Sequence, residues 1–243
     1  MTAMSTPGPI VTELTARTLI APGIADLSFR MVSPAALSFR AGQFVSIAVD
    51  GPDAPAPSRR SYSIASQSDA GGTLRFIIRV IASGAASELL MSTPIGGAMR
   101  MTGPHGFFVL DEDHAGDVVF GATGTGVAAV MPMLGELSRT ADRGHRYLYW
   151  GLRHESDLFA HEEIARLCEL SDTELRIFLS APGETWDAGR GRITPAILAQ
   201  LPSLTAPTFY LVGNGSMITE LKRELVERGV NRKKQIRTEA FFD

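Results

Sequence analysis

The chain has 243 residues, enough for one large or two modest domains with sizeable cores, and two is the first expectation. Hydrophobic residues at 44% and charged residues at 20% argue against a disordered chain, and a net charge of −3 without blocks of like charge gives no support to a nucleic-acid or membrane-surface role. The single cysteine, Cys168, rules out a disulfide framework or a cysteine-ligated iron–sulfur cluster within the chain; in its helical pattern it reads as a buried structural thiol.

Up to about residue 110 the chain reads as short strands separated by turns: IVTELTART, ADLSFRMV, QFVSIAV, SYSIA, LRFIIRVI and AMRMTG. Val, Ile, Phe and Thr alternate there with polar residues, as in an antiparallel barrel or sandwich. Only Ala85 to Met91 reads as helix, and the proline-rich GPDAPAPS reads as a loop. From Asp117 onward, apolar strands alternate with longer amphipathic segments: DVVFGA and VAAVMPMLGELSR, RYLYWG and DLFAHEEIARLCEL, ELRIFLS and TPAILAQ, TFYLVG and SMITELKRELVERG, then QIRTEAFF. Strict alternation of strand and helix predicts a parallel sheet with helices on both faces. The cluster Arg232-Lys233-Lys234 reads as a solvated face. No apolar run reaches the roughly 18 residues of a spanning helix, and the first basic residue is Arg17, so a cytoplasmic protein is the default expectation.

Two strands of the second half run into glycine loops. In VVFGATGTGVAAV, Gly121, Gly124 and Gly126 precede a helix whose first-turn N–H groups are free to bind phosphate, and Thr123 and Thr125 add hydroxyl donors. In FYLVGNGSMI, Gly213, Asn214 and Gly215 lead into a helix capped by Asn214 or Ser216. A tight structural turn explains either loop alone. Two of them on alternating βα units point to a dinucleotide in the crevice between the strands ending at Gly121 and Gly213. The full GxGxxG fingerprint is missing, since Val127, Ala128 and Ala129 follow Gly126.

In the first half, RRSYSIAS places Arg60 and Tyr62 on one side of a strand and Ser61 and Ser63 on the other. A guanidinium beside an aromatic ring suits a ligand with a diphosphate and a flat ring system; an exposed strand with a surface arginine and a half-buried tyrosine is the competing reading. Farther on, Gly84, Ala85, Ala86 and Ser87 open the one helical piece, a second anion-binding helix start. His105, His114, His145, His154 and His161 show no metal-ligand spacing, and no metal site is expected.

These residues resemble the ferredoxin–NADP reductase superfamily of flavoprotein reductases over nearly the whole chain. RSYS at Arg60–Ser63 resembles the flavin motif RxYS, GAAS at Gly84–Ser87 the FAD pyrophosphate loop, and GPHGFF the GPxGxF segment that closes the barrel. GTGVAA resembles the nicotinamide-dinucleotide loop GTGIAP, FYLVGNGSM the CGxxxM loop, and EAFF the terminal ExF or ExY, all in the family order. The resemblance implies an FAD-binding antiparallel barrel over 1–112 and an NAD(P)-binding α/β domain over 113–243, with hydride passing from nicotinamide to flavin between them. It places Arg60 on the FAD diphosphate, Tyr62 on the isoalloxazine and Ser63 near flavin N5. Ser61, Arg79, Gly84, Ala86 and Ser87 complete the flavin site. Thr123, Gly124, Thr125 and Gly126, with Gly213, Asn214 and Met217, receive the NAD(P). Glu239 falls near the nicotinamide and Phe241 over the flavin face, so that Ser63, Glu239 and Phe241 are the expected catalytic residues.

The chain departs from the family pattern in several places. Val212 stands where CGxxxM has its cysteine, and Ala129 replaces the proline of GTGIAP, with Pro132 three residues later in the early turns. Phe242 follows Phe241 and is an alternative flavin cover. Glu184 and the lack of an arginine at Ala181 favour NADH over NADPH, although Arg153 or Arg190 could supply a phosphate partner. With no cluster in the chain, electrons are expected to pass to a separate carrier such as a ferredoxin, flavodoxin, cytochrome or oxygenase component. The alternatives are a flavin-bearing subunit of a larger complex and a direct flavin or ferric reductase. The motif register yields a test: Arg60→Ala should lower FAD retention far more than Arg59→Ala, measured as flavin bound after gel filtration, and equal effects would refute the register.

Overall fold

The computed structural model describes residues 9–49, 58–111, 116–140 and 144–241; the loop 51–57, the 112/113 domain boundary and Phe242 lie outside them. In the first half the strands are β1 (Ile10–Ala21), β2 (Ile24–Ser33), β3 (Phe44–Ala48), β4 (Arg59–Ser63), β5 (Thr73–Arg79) and β6 (Ala98–His105), with helix α1 (Ala85–Ser92) before β6. They form one sheet in the order β4-β3-β6-β1-β2-β5, antiparallel at every pairing. The sheet curls until its edges meet, because the Ala65 N–H just past β4 donates to the Arg75 carbonyl on β5 at 2.8 Å. This explains a shift from the sequence reading. The fourth strand starts at Arg59 and ends at Ser63, where the chain turns from β3 toward β5 to close the barrel. Ile10, Leu14, Leu27, Phe29, Val45, Phe76 and their neighbours fill the interior.

The second half contains β7 (Val118–Thr123), α2 (Val127–Leu137), β8 (Arg146–Leu152), α3 (His161–Leu170), β9 (Thr173–Leu179), β10 (Gly189–Arg190), α4 (Ile193–Gln200), β11 (Thr208–Asn214), α5 (Gly215–Glu227), α6 (Arg232–Gln235) and β12 (Ile236–Phe241). The sheet is parallel throughout, in the order β10-β9-β8-β7-β11-β12. Strand order reverses between β7 and β11, which is where an open α/β sheet leaves a crevice. Both faces are covered, so successive residues of one strand enter different cores. On β11, Phe209 and Leu211 pack with α4 and α5, whereas Tyr210 and Val212 pack with α2 and α3.

Local chemistry sets several boundaries that periodicity missed. Helix α3 starts at His161 and not at Asp157, because a single 3-10 turn over Glu155–Asp157 and a left-handed Ala160 at φ 44° interrupt the pattern. The basic cluster Arg232-Lys233-Lys234 forms the short α6, capped by the Asn231 side chain accepting from the N–H groups of Lys233 and Lys234. Pro132 is the sixth residue of α2, inside the helix and past the first turn where proline fits without loss of a hydrogen bond.

The two halves share one apolar core. Ile24, Ala41, Ala65, Ile77 and Phe108 from the barrel side pack in the same cluster as Val127, Val130, Met131 and Leu134 of α2. At about 1.5–3 kcal/mol for each large apolar side chain fully removed from water, such a seam is stabilising in its own right. Polar bonds edge it: the Ala41 N–H and the Ser68 hydroxyl both donate to the Glu136 carboxylate, at 3.2 and 3.1 Å, and the Asp111 N–H donates to the Tyr210 hydroxyl at 2.9 Å. Gly42 adopts φ +92° at this seam, and a β-carbon there would land on the Phe108 carbonyl. Gly42→Ala should therefore lower the thermal midpoint by roughly 5–10 °C in a calorimetric scan. An unchanged midpoint would mean that the seam gives way there.

Candidate active site

At the crevice between β7 and β11, Thr123 Oγ1 accepts the Asn214 N–H at 2.8 Å, tying the two glycine loops together. Gly213, at φ +115°, makes this approach possible, because a β-carbon would fall 2.6 Å from the Thr123 carbonyl oxygen. Gly124 to Gly126 form a 3-10 turn with no side chain capping it, and Thr125 is half-buried there. The Trp150 indole N–H donates to the Gly124 carbonyl at 3.0 Å and fixes the turn from below. Asn214 Oδ1 caps α5, accepting from the Met217 N–H at 3.1 Å and the Ser216 hydroxyl at 2.6 Å.

These loops open into a cavity of about 350 Å³ lined by Thr123, Gly124, Asn214, Ser216 and Met217. Its other walls carry Arg153 and Ser180 at the ends of β8 and β9, Arg192 before α4, and Arg79 from the barrel. The one carboxylate among the lining residues is Asp157, whose Oδ2 accepts the His154 N–H at 2.9 Å. Three guanidiniums around uncapped backbone amides form a donor-rich site suited to an anionic dinucleotide. A second cleft of about 360 Å³, between His145 and Glu174, lies at the amino ends of β8 and β9 and contains none of the predicted site residues.

On the barrel, Arg59, Arg60 and Ser61 are exposed, Tyr62 is half-buried and Ser63 is buried. The Arg60 guanidinium donates to the Arg59 carbonyl at 2.9 Å, and among the described residues no carboxylate pairs with it. Burial pushes the Tyr62 phenol up to about 12 against the opposing charge of Arg60, so Tyr62 is neutral at any physiological pH. Tyr62 packs against the barrel core. Helix α1 starts behind Gly84 with no side chain capping its first turn. Ala86 is buried there, and Ser87 is engaged locally, its hydroxyl accepting the Ile81 N–H at 2.8 Å. A guanidinium with no carboxylate partner among the described residues, an uncapped helix start and a neutral aromatic ring fit the diphosphate and flat ring of FAD, so the donor set is consistent with that group.

At the seam, the Ser63 hydroxyl donates to Glu239 Oε1 at 2.7 Å. Glu239 sits on β12 beside Val212, and Phe241, two residues on, lies on the same strand face and packs against the shared core. Burial pushes the Glu239 carboxyl up to about 7, opposed by the Ser63 hydrogen bond.

Residues 11–110 match the oxidoreductase FAD-binding domain family and residues 120–223 the oxidoreductase NAD-binding domain family. The chain is 32% identical over 234 residues to ferredoxin–NADP reductase B of Sorangium cellulosum, covering 93% of this chain and 95% of that one. The chain belongs to the ferredoxin–NADP reductase family. It is an oxidoreductase with FAD-binding and NAD(P)-binding domains, and its fold is the ferredoxin reductase fold. It is also 29% identical to the reductase component of propane 2-monooxygenase from Rhodococcus jostii, covering 90% of this chain and 59% of that longer one. A cytochrome P450 reductase from Amycolatopsis superposes with a TM-score of 0.83 at 25% identity, over 98% of this chain and 71% of that one.

Within the reductase, the structure gathers Thr123, Gly124, Asn214 and Met217 around one cavity and Ser63 with Glu239 at the seam. Arg79, grouped by sequence with the α1 turn, also lines this cavity. The Trp150 anchor and Arg192 were missed, because neither belongs to a motif and only folding brings them to the loops. Among the described residues no group of three His, Cys, Asp or Glu could hold a metal, and no helix is long and apolar enough to cross a membrane.

The Glu239 shift carries a sign. A carboxyl raised from 4.5 to about 7 adds stability while protonated, and that stability is lost as pH rises from 4.5 through 7. Glu239→Gln, which carries no charge, should gain thermal stability over the parent at pH 8.5 relative to pH 5.5. A midpoint difference independent of pH, measured by calorimetry, would contradict the shifted carboxyl.

Proposed function

We propose that the reductase takes reducing equivalents from NAD(P)H at the seam between its two units, residues 1–112 and 113–243. It hands them to a separate one-electron carrier protein, a ferredoxin or an oxygenase component. The names of the Sorangium and Rhodococcus relatives support that partner class, and the lone Cys168 supports a carrier outside the chain. The observation that carries the reading is the Ser63–Glu239 hydrogen bond, which joins the flavin motif to the terminal motif where the two ligand sites converge. A cytoplasmic location belongs to the same proposal, since that compartment supplies NAD(P)H.

Bound FAD supplies the conversion of a two-electron hydride donor into single-electron steps. The residues of the chain bind, orient and handle the proton. Arg60 and the first turn of α1, with Gly84, Ala86 and Ser87, hold the diphosphate, and Tyr62 stacks on the ring system. Thr123 to Gly126 and Gly213–Asn214 hold the dinucleotide pyrophosphate, with Met217 closing that side. Phe241 excludes water at the ring. Glu239, at about 7, takes up or releases a proton at neutral pH and relays it through the Ser63 hydroxyl.

The lining of the cavity supports a reading of the nucleotide different from the one the sequence favoured. Sequence alone favoured NADH, on Glu184 and the missing arginine at Ala181. Yet Arg153, Arg192 and Ser180 line the cavity and Glu184 does not. A dianionic ribose phosphate meets guanidiniums there, and NADPH is the nucleotide we propose. Arg153→Ala should raise the NADPH KM about tenfold or more, as expected for a charge-assisted bond of about 1.5–3 kcal/mol, while barely changing the NADH value. Steady-state reduction of a one-electron acceptor by each nucleotide measures this, and equal changes for both nucleotides would return the assignment to NADH.

A further inference from the structure

Strand β5 faces two ways. Leu74, Phe76 and Ile78 point into the barrel core, whereas the alternate positions Arg75, Ile77 and Arg79 all meet the dinucleotide-binding half. Ile77 lies in the shared apolar core and Arg79 on the dinucleotide cavity. Arg75 is held from both sides. Its Nε and Nη2 donate to Asp26 on β2 at 2.8–3.0 Å, and its Nη1 and Nη2 donate to the two oxygens of Glu163 at 2.6 and 2.9 Å.

Glu163 is the third residue of α3, where an acid also favours the helix start. The loop leading into α3 carries Arg153 and Asp157, both on the cavity wall. A paired guanidinium fork sets orientation as well as distance. The Arg75 and Asp26 side chains are only 23% and 21% exposed, so the Asp26 bonds hold the fork before it meets Glu163. The Glu163 side chain is 44% exposed, and a pair that open adds little stability while still fixing geometry.

We propose that Arg75 is a positioning residue for hydride transfer: braced by Asp26, it clasps Glu163 and sets the dinucleotide cavity in register with the flavin-binding face. The inference rests on the reading of the cavity as the NAD(P)H site. Hydride transfer is sensitive to such register, since misplacement by about 1 Å can cost on the order of a hundredfold in rate.

Glu163→Gln tests the clasp by keeping the shape and removing the charge. Two measurements on the FAD-loaded full chain decide it. The first is the distance distribution between spin labels on Ser92→Cys in α1 and Glu220→Cys in α5, both exposed; native Cys168 is buried, its thiol pushed up to about 12, and stays unlabelled. The second is the single-turnover rate of flavin bleaching at saturating NAD(P)H. The clasp requires a broadened distribution and a rate about tenfold lower, with FAD retention and nucleotide affinity within twofold of the parent. An unchanged distribution, or a broadened one with an unchanged rate, overturns it. A parent protein that does not bleach at all contradicts the reductase reading instead, and the distance distribution alone then decides whether the clasp orients the two halves.

Discussion

The apolar seam between the barrel and α2 is the constraint on which the rest of the structure depends. Ile24, Ala41, Ala65, Ile77 and Phe108 can leave water only if the dinucleotide-binding half packs against them. Once it does, Ser63 and Glu239, 176 positions apart in the chain, come within hydrogen-bonding distance.

Electrostatics divides the labour around that seam. The ligand-binding walls are rich in donors: arginines, uncapped turns and backbone amides, as two phosphate-bearing cofactors require. At the seam the half-buried Glu239 carboxyl is pushed up to about 7, with the Ser63 hydroxyl as its partner. Fixed positive charge thus lines the ligand-binding walls, while Glu239, pushed up to about 7, lies at the seam between them. Val212, in place of the family's cysteine, is fully buried beside Glu239 and contributes to the low polarity that raises its pKa.

The fold was legible where periodicity is local. The switch from period-two alternation before Gly103 to strand–helix alternation after Asp117 marked the two halves, and the glycine loops at Gly124 and Gly213 marked the crevice. Residues whose roles depend on a short motif, such as Arg60, Tyr62 and Thr123, could be named from spacing and resemblance. What could not be read depends on tertiary contacts or on single backbone angles. Ala160 at φ 44° delays α3, barrel closure ends β4 at Ser63, and β10 has only two residues and no periodicity to detect. The placement of Arg79 on the dinucleotide cavity and the bridge from Asp26 through Arg75 to Glu163 join residues from separate elements. No spacing rule connects them.

The central claim is that both cofactor sites are present in one chain and converge at Ser63 and Glu239. Its most direct test is the visible absorption of the purified protein during anaerobic titration with NADPH. One FAD per chain, bleached stoichiometrically by one equivalent of nucleotide, is the predicted result. A colourless protein that takes up no FAD, or a bound flavin that neither NADPH nor NADH reduces, would contradict it.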